Sequence, residues 1–394
     1  MQKAIGSLQF APDSYRDGSL QGSVVMGTHQ IIRLPKNKNH FKPLTSYFIP
    51  HTSSFLFFAQ NTVVMSRPVI AFVTGGYSGE AQISYKSAIT IQANIDTDKF
   101  EYYTIDIRKD GWFCLHQGAE LPVDRANFTV PLDGQTIRFD AVLIGIHGTP
   151  GEDGKLQGYF DMLGIPYTSC DATASAITFN KRYTVAVAGM SGIHVAKSFH
   201  YFKGDAIDMA QLAAALQFPV FVKPANGGSS IGMSKVPDAA GLPAAIDKAF
   251  AEDDQVLVEE FIAGREFTIG VARLHGEIVA LPMTEVISEN YFFDFEAKYQ
   301  GKSKEITPAE VEAWKAEKIR AAARKIYSIF NCNGVVRIDF IFNEAMGEPY
   351  MLEINTVPGQ SAASIVPQQV KAMGWSLRDF YSALIEDALH RRKA

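Results

Sequence analysis

Val335-Val336-Arg337-Ile338-Asp339-Phe340-Ile341-Phe342 and Pro349-Tyr350-Met351-Leu352-Glu353-Ile354-Asn355, joined by the polar turn Asn343–Glu348, decide the reading of this chain. Both segments alternate with the period of two that sends successive side chains to opposite faces of a strand. Arg337 and Asp339 therefore share one face of the first strand, and Glu353 and Asn355 share one face of the second. A hairpin symmetric about Met346 sets Asp339 opposite Glu353 and Arg337 opposite Asn355. The opposite face carries Ile338 and Phe340 against Ile354 and Leu352, which commits it to a core. Two carboxylates a few ångströms apart repel unless a cation or a proton intervenes. Hard oxygen donors of this kind suit Mg²⁺ or Mn²⁺ bridging nucleotide phosphates, which makes Asp339, Glu353 and Asn355 candidate metal ligands. A solvated polar face balanced by Arg337 is the alternative.

Upstream, Lys223-Pro224-Ala225-Asn226-Gly227-Gly228-Ser229-Ser230-Ile231-Gly232 follows the apolar strand Val220–Lys223. Small residues let main-chain N–H groups approach phosphate oxygens, and Ser229 and Ser230 add hydroxyl donors beside the point charge of Lys223. No Gly-Lys-Ser/Thr opens a helix, so this is not a Walker loop. Lys181, in Thr178-Phe179-Asn180-Lys181, reads alone as a solvated helix lysine.

Further out, Pro68–Thr74 is a β-rich run ending in Gly75-Gly76. A helical pattern over 84–95, strands over 102–107 and 141–146, and a helix over 156–163 follow it. Such alternation argues for an open, mainly parallel α/β sheet, with ligands expected at the loops 75–80 and 147–154. A second unit holds a helix over 172–188 and the phosphate loop. The third holds a β-rich stretch, a long polar loop over 287–307, a helix over 308–330, the hairpin and a helix over 377–391. A loop of that length inside a compact domain reads as a lid. The expected organisation is an extension (1–64), an α/β domain (65–169) and two subdomains (170–258 and 259–394).

The chain has 394 residues, 47% of them hydrophobic, and a net charge of −5, so the basic footprint of a nucleic-acid protein is missing. Three widely spaced cysteines offer neither a disulfide framework nor a zinc pair, which suits a reducing compartment. No apolar run is long enough for a membrane span. Residues 1–64 hold six Lys/Arg against two acids, a net of +4, leaving −9 for residues 65–394. They read as a disordered extension or as translation begun upstream of a start at Met65; a transit peptide fits the scarcity of acids but lacks an Arg-rich amphipathic helix.

Taken in order, Lys181, Lys223-Pro224, Gly227–Gly232, Val256–Ile262 with Gly264–Thr268, Arg337–Asp339 and Leu352–Asn355 resemble the ATP-grasp enzymes. Within that class the chain resembles the D-alanine–D-alanine ligases. The segments that carry this are Gly75-Gly76-Tyr77-Ser78-Gly79-Glu80, His147-Gly148 with Gly151-Glu152-Asp153-Gly154, Gly228–Val236, Glu296-Ala297-Lys298-Tyr299, and Asn355-Thr356-Val357-Pro358-Gly359 with Ser364–Pro367. The likeness runs from about Met65 to the C terminus. It implies an N-terminal open parallel α/β domain followed by a two-part ATP-grasp fold. Two places depart from the family's habit: Ala81-Gln82, and Ala225-Asn226-Gly227, where relatives often carry charge.

The resemblance also implies roles. ATP lies between the second and third units, with Lys181, Lys223 and Ser230 at its phosphates, Glu259, Glu260, Phe261 and Ile262 at the adenine, and Glu266 at the ribose. Asp339, Glu353 and Asn355 hold two Mg²⁺ or Mn²⁺ ions. Arg337 and the N–H of Gly359 stabilise the oxyanion. Glu80 grips the ammonium of a first D-alanine near His147, Glu80, Ser229 and Tyr299 form a hydrogen-bonded trio, and Lys298 and Ser364 bind the carboxylate of a second D-alanine. Taken singly, Glu80 reads equally as a helix cap, His147 as a satisfied strand-end histidine and Lys298 as a solvated loop lysine. The activity implied is cytoplasmic ligation for peptidoglycan precursors, by a homodimer on family analogy. The rivals are a D-alanine–D-lactate ligase, which Tyr299 disfavours because the resemblance makes Tyr there the mark of an amine user, another ATP-grasp amino-acid ligase, and a silent nucleotide-binding module, which the intact Arg337, Asp339, Glu353 and Asn355 disfavour.

Overall fold

The computed structural model of the protein describes residues 66–228, 231–288 and 303–391. The expected extension, Ser229, Ser230 and residues 289–302, with Lys298 and Tyr299, lie outside them. The described ends of the loop expected over 287–307 are instead paired antiparallel strands, Thr284–Ser288 with Ser303–Ile306.

Val69–Gly75 is apolar along nearly its whole length because both of its faces are covered, as a central parallel strand requires. It pairs in parallel with Glu101–Arg108 on one side and Ala141–Ile144 on the other, so that Val73 lies between Ile105 and Ile144. Two antiparallel strands, Gly111–His116 and Ala119–Pro122, extend the Glu101–Arg108 edge to complete a five-stranded sheet. Sequence reading missed this pair. Its turn, Gln117-Gly118, places both residues at positive φ, and Gln is a weak signal for that conformation. The first helix, Ala81–Gln92, starts three residues before the expected Ser84 and buries Ser84, Ser87, Ala88 and Ile91.

The helix expected over 172–188 is two helices, Ala172–Phe179 and Lys181–Met190. Between them Asn180 is extended (φ −95°, ψ 109°), and its side-chain oxygen accepts from the Tyr183 amide at 3.3 Å. Asn180 Nδ2 donates to Asn226 Oδ1 (3.0 Å), far away in sequence. Tertiary partners override a continuous helical pattern here, and the break sets Lys181 on the first turn of the second helix.

The four-stranded antiparallel sheet orders Ser234–Val236, Val220–Pro224, Gln255–Glu260 and Ser198–Phe202. Its inner face (Val220, Val222, Val256, Val258) packs on the helix Leu242–Phe250. Among the described residues a further sheet has seven strands, with Arg265–Leu274 beside Val335–Asn343, then Glu348–Asn355 and the short His194–Val195. The helices on either side of Asn180 contribute Ala174 and Ala188 to the core of this seven-stranded sheet. The last helix, Leu377–Arg391, has its expected bounds. Its Phe380, Tyr381 and Leu384 share a core with Ile70 and Phe72 of the first strand. Each such side chain stabilises by about 1.5–3 kcal/mol when fully buried.

The hairpin keeps its expected register where the chemistry lies. Arg337 pairs with Asn355 and Asp339 with Glu353. Beyond Asp339 a β-bulge shifts the ladder by one, so Phe340 pairs with Met351. Met351, not the expected Leu352, therefore joins Ile338, Phe340 and Ile354 in the core. The hairpin is not symmetric about Met346.

Candidate active site

Glu80 ends the loop after the first strand and serves as the residue before the helix Ala81–Gln92, but its side chain makes no capping hydrogen bond to that helix. The carboxylate instead lies between two glycines from distant loops. A Cβ on Gly148 would come within 2.5 Å of Glu80 Oε2, and one on Gly228 within 2.6 Å of Glu80 Oε1. Gly148 also has φ +67°, so both space and backbone conformation demand glycine there.

His147 follows the strand Ala141–Ile144 and is buried. Its amide donates to Ser84 Oγ (2.9 Å), and its Nε2 lies 2.9 Å from Ser87 Oγ. Burial lowers its pKa from 6.5 to about 4, outweighing a hydrogen bond to the Val357 main chain. Beside it, Glu152 accepts from the amides of Gly148 (2.6 Å) and Val357 (3.3 Å). Burial, reinforced by the Glu80 charge, pushes the Glu152 carboxyl up to about 8 against those two bonds. Glu152 belongs to the Gly151-Glu152-Asp153-Gly154 motif yet has no role legible from sequence, because only the fold buries it.

Lys181 Nζ donates to the Gly227 carbonyl at 2.6 Å, and its amide donates to Ala225 O at 2.8 Å. The far side of the loop is held by Asp253, which accepts from the amide (2.6 Å) and side chain (3.0 Å) of Asn226. The glycine-rich loop is thus clamped from both flanks. Lys223 pairs with Leu257 across the ladder and forms an ion pair with Glu259, its diagonal neighbour on the same strand as Leu257.

On the hairpin, Arg337 grips Asp339 with two hydrogen bonds, Nε to Oδ1 (3.0 Å) and Nη2 to Oδ2 (2.9 Å), and Nη2 lies 3.9 Å from Glu353. The Thr268 hydroxyl also donates to Asp339. Burial alone would lower the Arg337 pKa, but the charges of Asp339, Glu353 and Glu152 with the Asp339 hydrogen bonds raise it instead. Among the described residues no three His, Cys, Asp or Glu converge as a ready metal centre. The oxygen donors that do share the face are Asp339, Glu353 and the Asn355 carboxamide, whose buried Nδ2 has no partner among the described residues. A buried donor left unpaired beside two carboxylates is costly in isolation and suits a phosphate oxygen, so this set fits a metal–phosphate group.

A cleft of about 460 Å³ collects these groups. Of the residues expected from sequence, Glu80, His147, Lys181, Glu266, Arg337, Asp339, Glu353, Asn355, Gly359 and Ser364 line it, together with Gly227 and Gly228. Lys223, Glu259, Glu260, Phe261 and Ile262 do not. Glu152, Thr268, Glu305 and Lys86 line it without having been foreseen. Burial raises the Glu305 pKa, and its carboxylate accepts from Gln368 (2.9 Å).

A family model described as the D-ala D-ala ligase N-terminus matches residues 69–170, and one described as the D-ala D-ala ligase C-terminus matches residues 186–386. The chain belongs to the D-alanine–D-alanine ligase family. It is 45% identical over 325 residues to a D-alanine–D-alanine ligase of Parabacteroides distasonis, covering 82% of this chain and 98% of that one. The crystal structure of D-alanyl-alanine synthetase A from Vibrio cholerae is similar at a TM-score of 0.74 and 30% identity, covering 83% of this chain and 99% of the other. A D-Ala:D-Ser ligase from Enterococcus faecalis is similar at 0.73 and 31%, covering 82% and 99%. Membership accounts for the ATP-grasp sheets and for glycine-rich loops drawn to one cleft. No helix among the described residues is long and apolar enough to cross a membrane.

Proposed function

We propose that this chain joins two D-alanine molecules at the expense of ATP, in the cytoplasm and for peptidoglycan precursors. The γ-phosphoryl group passes to the carboxylate of the first D-alanine, releasing ADP and forming a D-alanyl phosphate. The amine of the second then attacks the acyl carbon, and phosphate departs. The observation that carries this reading is one cleft lined by Glu80, Lys181, Arg337, Asp339, Glu353 and Asn355. Phosphoryl transfer needs positioning and charge neutralisation, with no protein nucleophile, and that is the kind of group assembled here.

In this reading Lys181, Lys223 and Ser230 meet phosphates, Glu259 to Ile262 the adenine and Glu266 the ribose. Asp339, Glu353 and Asn355 would hold two Mg²⁺ or Mn²⁺ ions, which when bound neutralise phosphate charge. Arg337 and the Gly359 N–H stabilise the oxyanion on the acyl carbon. Glu80 holds the first ammonium beside His147, Ser229 and Tyr299 complete the trio with Glu80, and Lys298 and Ser364 hold the second carboxylate. In this reading the lid that covers the acyl phosphate and excludes water is the segment joining the paired strands Thr284–Ser288 and Ser303–Ile306. The chain acts as a homodimer, which sedimentation would test.

ADP and dipeptide release with D- and L-amino acids, D-serine and D-lactate test the assignment. D-alanyl-D-alanine should dominate; ADP release indifferent to D-alanine would overturn it. A D-alanine–D-serine preference is the second reading, favoured by the likeness to the Enterococcus faecalis structure. We also propose the division at 64/65, 169/170 and 258/259, amended so that residues 170–195 belong with the C-terminal core. A chain starting at Met65 should match the full chain in melting temperature and turnover; loss of folding would show that residues 1–64 pack on the body.

A further inference from the structure

Four buried polar side chains outside the proposed contacts join the two loops that meet in the cleft. Ser87, on the inner face of the helix Ala81–Gln92, is fully buried. Its Oγ lies 2.9 Å from His147 Nε2 and accepts from the Gln360 amide at 3.1 Å. Gln360 is buried in turn, and its Oε1 accepts from the Tyr381 hydroxyl at 3.1 Å. Ser84, one turn before Ser87, accepts from the His147 amide. Ser87 and Gln360 are 273 positions apart in sequence, so the contact fixes a non-local geometry.

A serine hydroxyl has one proton to donate and two lone pairs to accept with. The Gln360 amide takes one lone pair of Ser87. The described residues offer the Ser87 proton one acceptor, His147 Nε2, which must then carry no hydrogen. The ring proton therefore sits on Nδ1. That agrees with the second contact of His147, to the main chain of Val357, which favours the protonated ring and so comes from an acceptor. The Val357 amide is already given to Glu152 (3.3 Å), which leaves its carbonyl to receive the ring N–H.

We propose that Ser87 is a positioning residue: one hydroxyl both fixes His147 as the neutral Nδ1–H tautomer and anchors the peptide following Gly359, so that the loop facing the first substrate and the loop carrying the oxyanion donor are set by the same atom. This rests on the roles proposed above for His147 and Gly359. A displaced Gly359–Gln360 peptide turns the neighbouring N–H away from the developing charge, where a misaligned donor loses its effect on the transition state more than on ground-state binding. Ser87→Ala strips the partner from His147 Nε2 and from the Gln360 amide at once, and buried groups left without partners shift locally to regain them.

The test uses the full-length protein and two independent readouts. The first is ¹⁵N NMR of the histidine rings without substrates, with His147 assigned by its loss in His147→Gln. The unmodified protein should show a proton-bearing Nδ1 and a bare Nε2 at His147, and Ser87→Ala should lose that fixed pattern. The second is steady-state ligation, in which Ser87→Ala should lower kcat by about tenfold to a hundredfold with KM for ATP nearly unchanged. Ser87→Thr keeps the hydroxyl and should restore the ring pattern and most of kcat. A proton on Nε2 in the unmodified protein overturns the proposal without any variant, so a failure of Ser87→Ala to fold does not shelter it. An unchanged ring pattern and kcat in Ser87→Ala overturns it equally. The ring readout needs no turnover, so an unmodified protein that makes no dipeptide counts against the ligase reading and leaves this result separate.

Discussion

Asp339 and Glu353 reach the cleft from paired strands, whereas Glu80 and His147 reach it from loops at the ends of parallel strands. On the hairpin one face enters the core through Ile338, Phe340 and Ile354 while the other carries charge. The ladder that positions the carboxylates is thus stabilised by side chains that never touch ligand. On the loop side no such division exists. His147 is held by Ser84, Ser87 and the Val357 main chain, and the Glu80 carboxylate fits only because Gly148 and Gly228 carry no Cβ. Substitutions on the strands should therefore change chemistry with modest structural spread. Substitutions among the loops should move several groups together.

The sharpest way to break this contrast is to change the carboxylates. Glu353→Gln and Asp339→Asn should each lower turnover by a factor on the order of 10³ or more, since transferring phosphate charge would go uncompensated. They should differ in stability. Asp339 is buried and accepts from Arg337 twice and from Thr268. Its replacement leaves the half-buried Arg337 guanidinium without its nearer ionic partner, at about 1–3 kcal/mol. Glu353 is half-buried and 3.9 Å from that guanidinium, so Glu353→Gln should melt near the unmodified protein. Near-normal activity of both variants at saturating Mg²⁺ would remove the metal assignment. Equal melting temperatures would show that the Arg337–Asp339 pair carries no structural weight.

Tyr299→Phe is expected to act more weakly and on selectivity. Losing one hydroxyl from the proposed trio with Ser229 and Glu80 costs about 1–3 kcal/mol if it strands a buried partner, a shift of about tenfold or more in amine discrimination. D-lactate should become a detectable second substrate, most visibly at low pH, where the D-alanine amine is more fully protonated. Competition between D-alanine and D-lactate measures it. A product ratio identical to the unmodified enzyme across roughly pH 6 to 9 would free Tyr299 from that role.

What the sequence disclosed follows the same contrast. The period of two made the facing of Asp339 and Glu353 legible, because a strand repeats its geometry locally. The bulge after Asp339 was not legible, since its place depends on how two strands settle against a shared core. The stop at Asn180 was hidden for a similar reason: its partner Asn226 belongs to another loop, and the 172–188 window is helical in pattern throughout. The loops that carry Glu80 and His147 were legible from their place at strand ends, but the roles of the two residues came only through a family resemblance. Ser87, Glu152 and Gln360 gave no signal, because burial and pairing between distant segments define what they do.

The smallest expected effect sharpens the loop side through pH. Glu152 keeps its proton in the folded protein up to about 8, against an ordinary value of 4.5. Between those values the folded state binds more protons than the unfolded chain, so this group makes stability fall as pH rises. His147 acts in the opposite sense. Its folded value of about 4 lies below the ordinary 6.5, so between them the unfolded chain binds more protons and stability rises with pH. Above 6.5 the histidine is neutral in both states and drops out. From there to about pH 8 only Glu152 of these two groups still contributes, with a limiting slope of about 1.4 kcal/mol per pH unit. That is on the order of 2 °C per unit in a chain of this size. Glu152→Gln keeps an acceptor for the Gly148 and Val357 amides but cannot ionise. The difference in melting temperature, variant minus unmodified, should therefore grow with pH across that window and level off above it. A difference that stays constant from pH 6.5 to 8 would mean that Glu152 is ionised throughout, and that the loop side tolerates a charge beside Glu80 without cost.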